Sequence, residues 1–290
     1  MRLFLILLLT LFAGELNAGD RRGVIVVIDG ARYSETFGAG SAYIPRIWNE
    51  LRPAGKIWTN FRNEGVTSTV PGHSSVLTGT WQRLLNDGSE RPDRPTIFEY
   101  FRKATGAPDS LAWVVAGKKK LGVLAHSDDP EFGAPWSARV AIASGDTAVF
   151  NSARQILLQL RPRLMIVNFP DVDRAAHDSD WTGYLSAIRI ADSLTVELWN
   201  ILRGDPLFAE STLFFVTNDH GRHLDGVGKG FVSHGDGCEG CRHLLLAGWG
   251  VAFTRGDSTA APATQRDIAP TLGEWMGFPT PRAEGRSLLE

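Results

Sequence analysis

Six side chains suited to binding divalent metals occur in four short segments of this 290-residue chain. Asp173 and His177 stand four residues apart in Asp-Arg-Ala-Ala-His. On a helical turn they share one face, and each is a good zinc ligand. Asp219-His220 is an adjacent pair able to serve a metal from a loop. His234 lies in Ser-His-Gly-Asp-Gly, a segment too rich in glycine for a core strand, and Asp29 closes the set. Six ligands suit two metals with three protein groups each, which leaves coordination positions open for substrate. Singly, each piece also reads as a surface pair, a turn or a loop cap. The order and the joint placement carry the weight.

A nucleophile is offered by Thr67-Ser68-Thr69-Val70-Pro71-Gly72-His73. Pro71 suits the first turn of a helix, where its missing N–H costs nothing. Thr69 is then expected at or just before the N-cap, beside backbone N–H groups that favour an anion. An ordinary threonine cap is the other reading of the same residues.

These residues must be held by something. Val24–Ile28, Leu111–Ala116, Leu164–Phe169, Leu213–Thr217 and Leu244–Ala247 are short apolar runs, as expected of strands buried on both faces of a largely parallel sheet. Helices are expected over Pro45–Leu51, Thr96–Lys103, Thr147–Leu160 and Tyr184–Leu202; the last repeats Tyr184, Ile188, Ala191, Leu194, Leu198 and Ile201 at helical spacing. The pattern predicts an α/β sandwich. Ligands of such sheets bind beyond the carboxyl ends of the strands. Asp29, the pair Asp171 and Asp173, and Asp219-His220 all follow strand candidates.

Thirty Lys and Arg balance 32 Asp and Glu, giving −2, so bulk charge does not predict nucleic-acid binding. Met1-Arg2 followed by the apolar run Leu3–Ala13 and small Ala18 has the layout of a secretory signal peptide over residues 1–18. The run is about half the ~20 residues of a membrane span. The expectation is a periplasmic or secreted protein without a stable membrane span, residues 19–290 forming one hydrolase domain with little or no cap. The loops from Thr80 to Pro95 and from His126 to Thr147 are the candidate lids.

The whole motif set resembles the alkaline phosphatase superfamily, nearest its nucleotide pyrophosphatase/phosphodiesterase and phosphonoacetate hydrolase branches. Thr69-x-Pro71-x-His73 followed by Leu77-Thr78-Gly79 resembles their nucleophile segment. Ile28-Asp29-Gly30, Asp173-x-x-x-His177, Asp219-His220-Gly221 and Ser233-His234-Gly235 resemble their metal motifs, in the same order. The resemblance implies a three-layer sandwich and two divalent ions. One ion would sit on Asp29, Asp219 and His220 beside Thr69, the other on Asp173, His177 and His234. Zinc suits this mix of imidazole and carboxylate, and manganese or magnesium also fit. The implied chemistry is phosphoester hydrolysis through a covalent phosphothreonine on Thr69, acting on a small phosphorylated substrate.

Three further residues gain a role by the same resemblance. Asn86 corresponds to a phosphate-binding Asn, and otherwise reads as a turn residue. Lys118 and Lys120 resemble a Lys-x-Lys element that binds a phosphoryl dianion, and otherwise read as a solvated basic run. With the lysines in the site a monoester is favoured. Without them a phosphodiester or nucleotide pyrophosphate is the alternative, then a phosphonate. A sulfatase is disfavoured, because Thr69 cannot form the aldehyde of formylglycine and His73 stands where those enzymes carry Arg. A catalytically silent binding protein would lack a ligand or the nucleophile, and none is missing. Cys238 and Cys241, in Cys-Glu-Gly-Cys, are expected to form a small disulfide in an oxidising compartment. Two cysteines are too few for a cysteine-rich zinc module.

Overall fold

The computed structural model describes residues 18–253 and 255–289. All but the last residue of the expected signal peptide lies outside the described residues. Among those residues no helix is long and apolar enough to cross a membrane.

The strands are β1 (Arg22–Ile28), β2 (Lys56–Trp58), β3 (Phe61–Arg62), β4 (Ala112–Ala116), β5 (Arg139–Ile142), β6 (Leu164–Phe169), β7 (Thr212–Thr217), β8 (His243–Leu244), β9 (Leu246–Trp249), β10 (Asp257–Thr259) and β11 (Ala263–Thr264). Eight of them form one sheet in the order β10-β2-β9-β7-β1-β6-β4-β5, and β11-β3-β8 form a small second sheet. From β7 to β5 all neighbours are parallel, whereas β9 runs antiparallel to both β7 and β2. Along β1, Ile25 and Val27 enter one core, while Val24, Val26 and Ile28 enter the other. Both faces are buried, which is why this strand is continuously apolar rather than alternating.

The helices are α1 (Thr69–Thr78), α2 (Ile97–Thr105), α3 (Asp146–Leu160), α4 (Asp171–His177), α5 (Trp181–Gly204), α6 (Pro206–Ala209), α7 (Glu239–Arg242) and α8 (Ile268–Met276). Val70, Phe98 and Leu272 place α1, α2 and α8 on one face of the sheet. Val149, Val172 and Ile188 place α3, α4 and α5 on the other. The fold is therefore the three-layer α/β sandwich, with a mostly parallel central sheet.

Three local expectations change. Leu244–Ala247 is divided between β8 and β9 of different sheets, with the intervening Leu245 N–H held by Asn218 Oδ1 at 2.9 Å. The Pro45–Leu51 helix ends as a wide π turn over Ile47–Leu51, and Asp192 of α5 accepts from the Arg46 and Ile47 N–H groups at its start. The His126–Thr147 segment is not a free lid. Its Arg139–Ile142 stretch pairs with β4 as an exposed edge strand, which the patterning of buried apolar runs does not reveal.

Two carboxylates brace the layer that carries α4. Asp146 Oδ1 accepts from the Asp171 N–H at 2.9 Å, and Asp171 Oδ2 accepts from the Asp146 N–H at 3.1 Å. Burial, with Asp171 beside it, pushes Asp146 up to about 7. A buried acid with a raised pKa keeps its proton in the native state after the unfolded chain has released it. Its contribution is thus complete below the ordinary carboxylate range and is lost as pH rises toward 7. Asp146→Asn keeps the acceptor without the charge. The variant should gain roughly 1–3 kcal/mol in urea unfolding near pH 8, and little near pH 4.

Candidate two-metal active site

The site lies at the carboxyl ends of β7, β1 and β6, three adjacent parallel strands. Asp29 directly follows β1, α4 with Asp173 and His177 follows β6 after Pro170, and Asp219-His220 follows β7 after Asn218. Thr69 opens α1, with Ser68 as the residue before it, so it stands one position inside the N-cap. Gly72 lets α1 approach: a Cβ there would lie 2.3 Å from the Asp219 carbonyl oxygen. Gly117 does the same for the turn after β4, where a Cβ would lie 2.2 Å from Pro170.

All the candidate ligands converge. Oxygen and nitrogen atoms of Asp29, Asp219 and His220 lie within 4.8 Å of one another, and so do those of Asp173, His220 and His234. His220 thus stands between the two groups, its ring stacked on His234 with centroids 3.8 Å apart. His177 is at the rim, its side chain 49% exposed, with Nε2 3.4 Å from Asp173 Oδ1 and 3.1 Å from His234 Nε2.

The donor chemistry fits two metal ions. Asp219 Oδ2 and His220 Nε2 are buried without a hydrogen-bond partner. Such orphaned groups are costly unless something pairs with them. The second nitrogens are already engaged: His220 Nδ1 faces the Gly221 carbonyl at 2.9 Å, and His234 Nδ1 faces the Thr67 carbonyl at 2.9 Å. Donation from Nδ1 fixes the tautomer that turns each Nε2 lone pair into the site.

Electrostatics point the same way. Asp29, Asp173 and Asp219 are all buried. Burial, then Asp219, raises Asp29 above the ordinary range. Burial opposes ionisation of the other two as well, yet His177 and Lys118 hold Asp173 low, and His220 and His73 hold Asp219 low. Burial and His220 bring His234 down to about 3, so it is neutral and ready to ligate. The Lys118 ammonium shows that a cation is welcome here. Its Nζ lies 2.8 Å from Asp29 Oδ1, 2.5 Å from Asp173 Oδ2 and 3.2 Å from Thr69 Oγ1. Although burial opposes it, Asp29 and Asp173 raise its pKa.

The remaining expected residues gather around Thr69. Asn86 Oδ1 accepts from the Val70 N–H at 2.9 Å and from Lys120 Nζ at 3.1 Å. Both residues therefore stand at the start of α1. His73 is held by Asn168, whose Nδ2 lies 3.1 Å from its Nε2 and 2.9 Å from Asp29 Oδ2. Its Nδ1 is 2.9 Å from the Thr69 carbonyl and 3.2 Å from Asp219 Oδ2, so it ties the start of α1 to a carboxylate of the metal groups.

Arg222 is a site residue that sequence reasoning missed. It is fully buried, pairs with the Asp173 carboxylate, and donates to the carbonyls of Gly30 at 3.1 Å and Phe231 at 3.0 Å. Gln265 holds the Asp219 carbonyl at 2.7 Å. Arg222 directly follows Asp-His-Gly, but an arginine in a loop gives no sign in sequence that it will be buried.

No protein-family model matches the chain, and no curated protein matches it in sequence. Solved structures do. One is described as a protein in the alkaline phosphatase superfamily from Vibrio parahaemolyticus (TM-score 0.67, 15% identity, covering 92% of this chain and 69% of that one). Others are a phosphonate monoester hydrolase of Agrobacterium radiobacter (0.63, 14%, 92% and 76%) and a 2-O GAG sulfatase (0.68, 12%, 92% and 73%). The chain has the fold of the alkaline phosphatase superfamily. That fold serves hydrolases of both sulfate and phosphonate esters, so the chemistry of this chain must be argued from its own site.

A divalent metal ion that occupies these groups should stabilise the protein against unfolding. At about 100 times the dissociation constant each site contributes about 2.7 kcal/mol by linkage. His220→Ala, which removes an imidazole present in both groups, should lose most of that gain in a calorimetric titration. Arg222→Ala should cost about 3–5 kcal/mol in denaturant unfolding, since it leaves Asp173 buried with one cation fewer.

Proposed function

We propose that the chain is a metal-dependent phosphoester hydrolase, preferring monoesters and acting through a phosphothreonine on Thr69. The observation that carries this reading is the Lys118 ammonium at 3.2 Å from Thr69 Oγ1, with Lys120 and Asn86 beside it at the start of α1. Asp29, Asp219 and His220 would hold one divalent ion, and Asp173, His177 and His234, with His220 adjacent, the other. Bound there, zinc or a similar ion would supply Lewis acidity and neutralise charge developing on the oxygens.

This chain's residues would do the rest. Thr69 Oγ1 attacks phosphorus as its proton passes to solvent, the P–O bond to the leaving group breaks and the leaving oxygen takes a proton from solvent, and water then cleaves the phosphothreonine to release phosphate and restore the hydroxyl. Lys118 and Lys120 meet the non-bridging oxygens. Two lysines match a dianionic monoester better than a diester, which brings one negative charge less. A sulfate ester fits less well, because Thr69 cannot supply an aldehyde hydrate. The apolar leader at residues 1–18 supports action in the periplasm or outside the cell, by residues 19–290 as one domain.

Thr69→Ala, with its metal content retained, should lower hydrolysis of p-nitrophenyl phosphate by roughly 10³-fold or more. Turnover at the wild-type rate would overturn the covalent mechanism. Lys118→Ala at saturating zinc should lower monoester kcat/KM by about 10–100-fold and diester kcat/KM much less. Equal losses on bis-p-nitrophenyl phosphate would instead favour a phosphodiesterase. Wild-type turnover of a phosphonate monoester alone would move the substrate to that class.

A further inference from the structure

A second group of metal-ligating side chains lies beside the catalytic one. The disulfide expected from Cys-Glu-Gly-Cys is not formed; Cys238 and Cys241 are free thiols. The cysteines instead cluster with His223 and Asp236. One ligand atom from each of His223, Asp236, Cys238 and Cys241 lies within 4.8 Å of all the others. In a tetrahedral zinc site the ligand atoms stand roughly 3.3–3.8 Å apart, so only a small contraction separates this arrangement from a bound one.

The individual groups are prepared for a cation. His223 is largely buried, and its Nδ1 is 2.9 Å from Ser233 Oγ. Its Nε2 is buried without a hydrogen-bond partner, although it lies 3.1 Å from Asp236 Oδ2. If Nδ1 donates to Ser233 Oγ, the Nε2 lone pair faces a carboxylate, an arrangement that a cation between them would satisfy. Asp236 Oδ1 accepts from the Cys238 N–H at 3.0 Å, which fixes the carboxylate against the cysteine loop. Burial, with Cys238 adjacent, pushes the Cys241 thiol up to about 12. Arg242 packs over the loop, as a Cβ on Gly237 would lie 3.1 Å from its Nη2. The same guanidinium is held by Glu64 Oε2 at 2.7 Å.

We propose that His223, Asp236, Cys238 and Cys241 form a structural zinc site, closed by four protein ligands and separate from the two catalytic ions. On binding, each thiol gives its proton to solvent and each sulfur binds as thiolate, with no change of oxidation state. The site joins two loops. His223 belongs to the segment that follows β7 and carries Asp219 and His220. Asp236 and both cysteines belong to the segment that carries His234. Backbone bonds already link these segments, Gly221 N–H to Cys241 O at 2.9 Å and His223 N–H to Ser233 O at 3.1 Å. The metal would clamp the loops and fix His234 against His220.

Cobalt substitution tests the assignment, because the catalytic groups contain no sulfur. Protein purified anaerobically, stripped of metal and titrated with Co(II) should show a sulfur-to-cobalt charge-transfer band in the near ultraviolet, whose final intensity corresponds to about one thiolate-bound cobalt of the three bound per chain. The double variant Cys238→Ser, Cys241→Ser should lose the band and about one equivalent of zinc. His223→Ala, which keeps both thiols, should weaken cobalt binding at the band by about tenfold or more. Thiol titration of the as-purified wild type should find both cysteines protected until a chelator is added. Absence of the band in the reduced protein would overturn the proposal. So would denatured, unreduced protein with no titratable thiol, which would identify a disulfide. Neither result bears on Thr69, so failure here leaves the hydrolase reading intact.

Discussion

The structure depends on the burial of three carboxylates at one end of its central sheet. Asp29, Asp173 and Asp219 are almost fully removed from water within reach of one another. Uncompensated, such a cluster would cost several kcal/mol per charge. Cations offset part of it: Lys118 lies between Asp29 and Asp173, Arg222 on Asp173, and His73 against Asp219. The same imbalance that threatens stability is what makes the site attract divalent ions.

The parallel core of the sheet explains how so much charge can gather there. Parallel strands all end on one edge, and β7, β1 and β6 are neighbours in space although far apart in sequence. Each contributes an acid in the first few residues beyond its end. The apolar strands hold those ends rigidly between two hydrophobic layers, so the acids cannot drift apart to relieve their repulsion. α1 then brings the hydroxyl of Thr69 to the same edge, its approach permitted by the missing side chain of Gly72.

The loops around the site are braced to match. Asn218 reaches the carbonyl of Ala31 at 2.7 Å and that of His220 at 3.0 Å, and its own oxygen holds Leu245. Arg222 gathers Gly30, Asp173 and Phe231. These contacts join three segments whose ligands must agree in position. The cysteine cluster extends the same principle to the outer side of His234.

Much of this was legible in the sequence. Buried strands show as apolar runs and the long helix α5 as a periodic one, because burial on a regular element repeats locally. The ligand types, their order and the Thr-x-Pro-x-His segment are local too. The edge strand β5 was not legible, since it is exposed and held mainly by backbone pairing. The positions of Asn86, Lys118 and Lys120 were not legible either; the tertiary structure brings Lys118 to Thr69 Oγ1, and Asn86 with Lys120 to the start of α1. Only the fold brought His223 to two cysteines that sequence reasoning paired with each other, and only the fold buried Arg222 against Asp173. Residue type and spacing determine which chemistry a chain can perform. Strand order decides which distant side chains meet, because that meeting depends on contacts between segments that sequence periodicity does not encode.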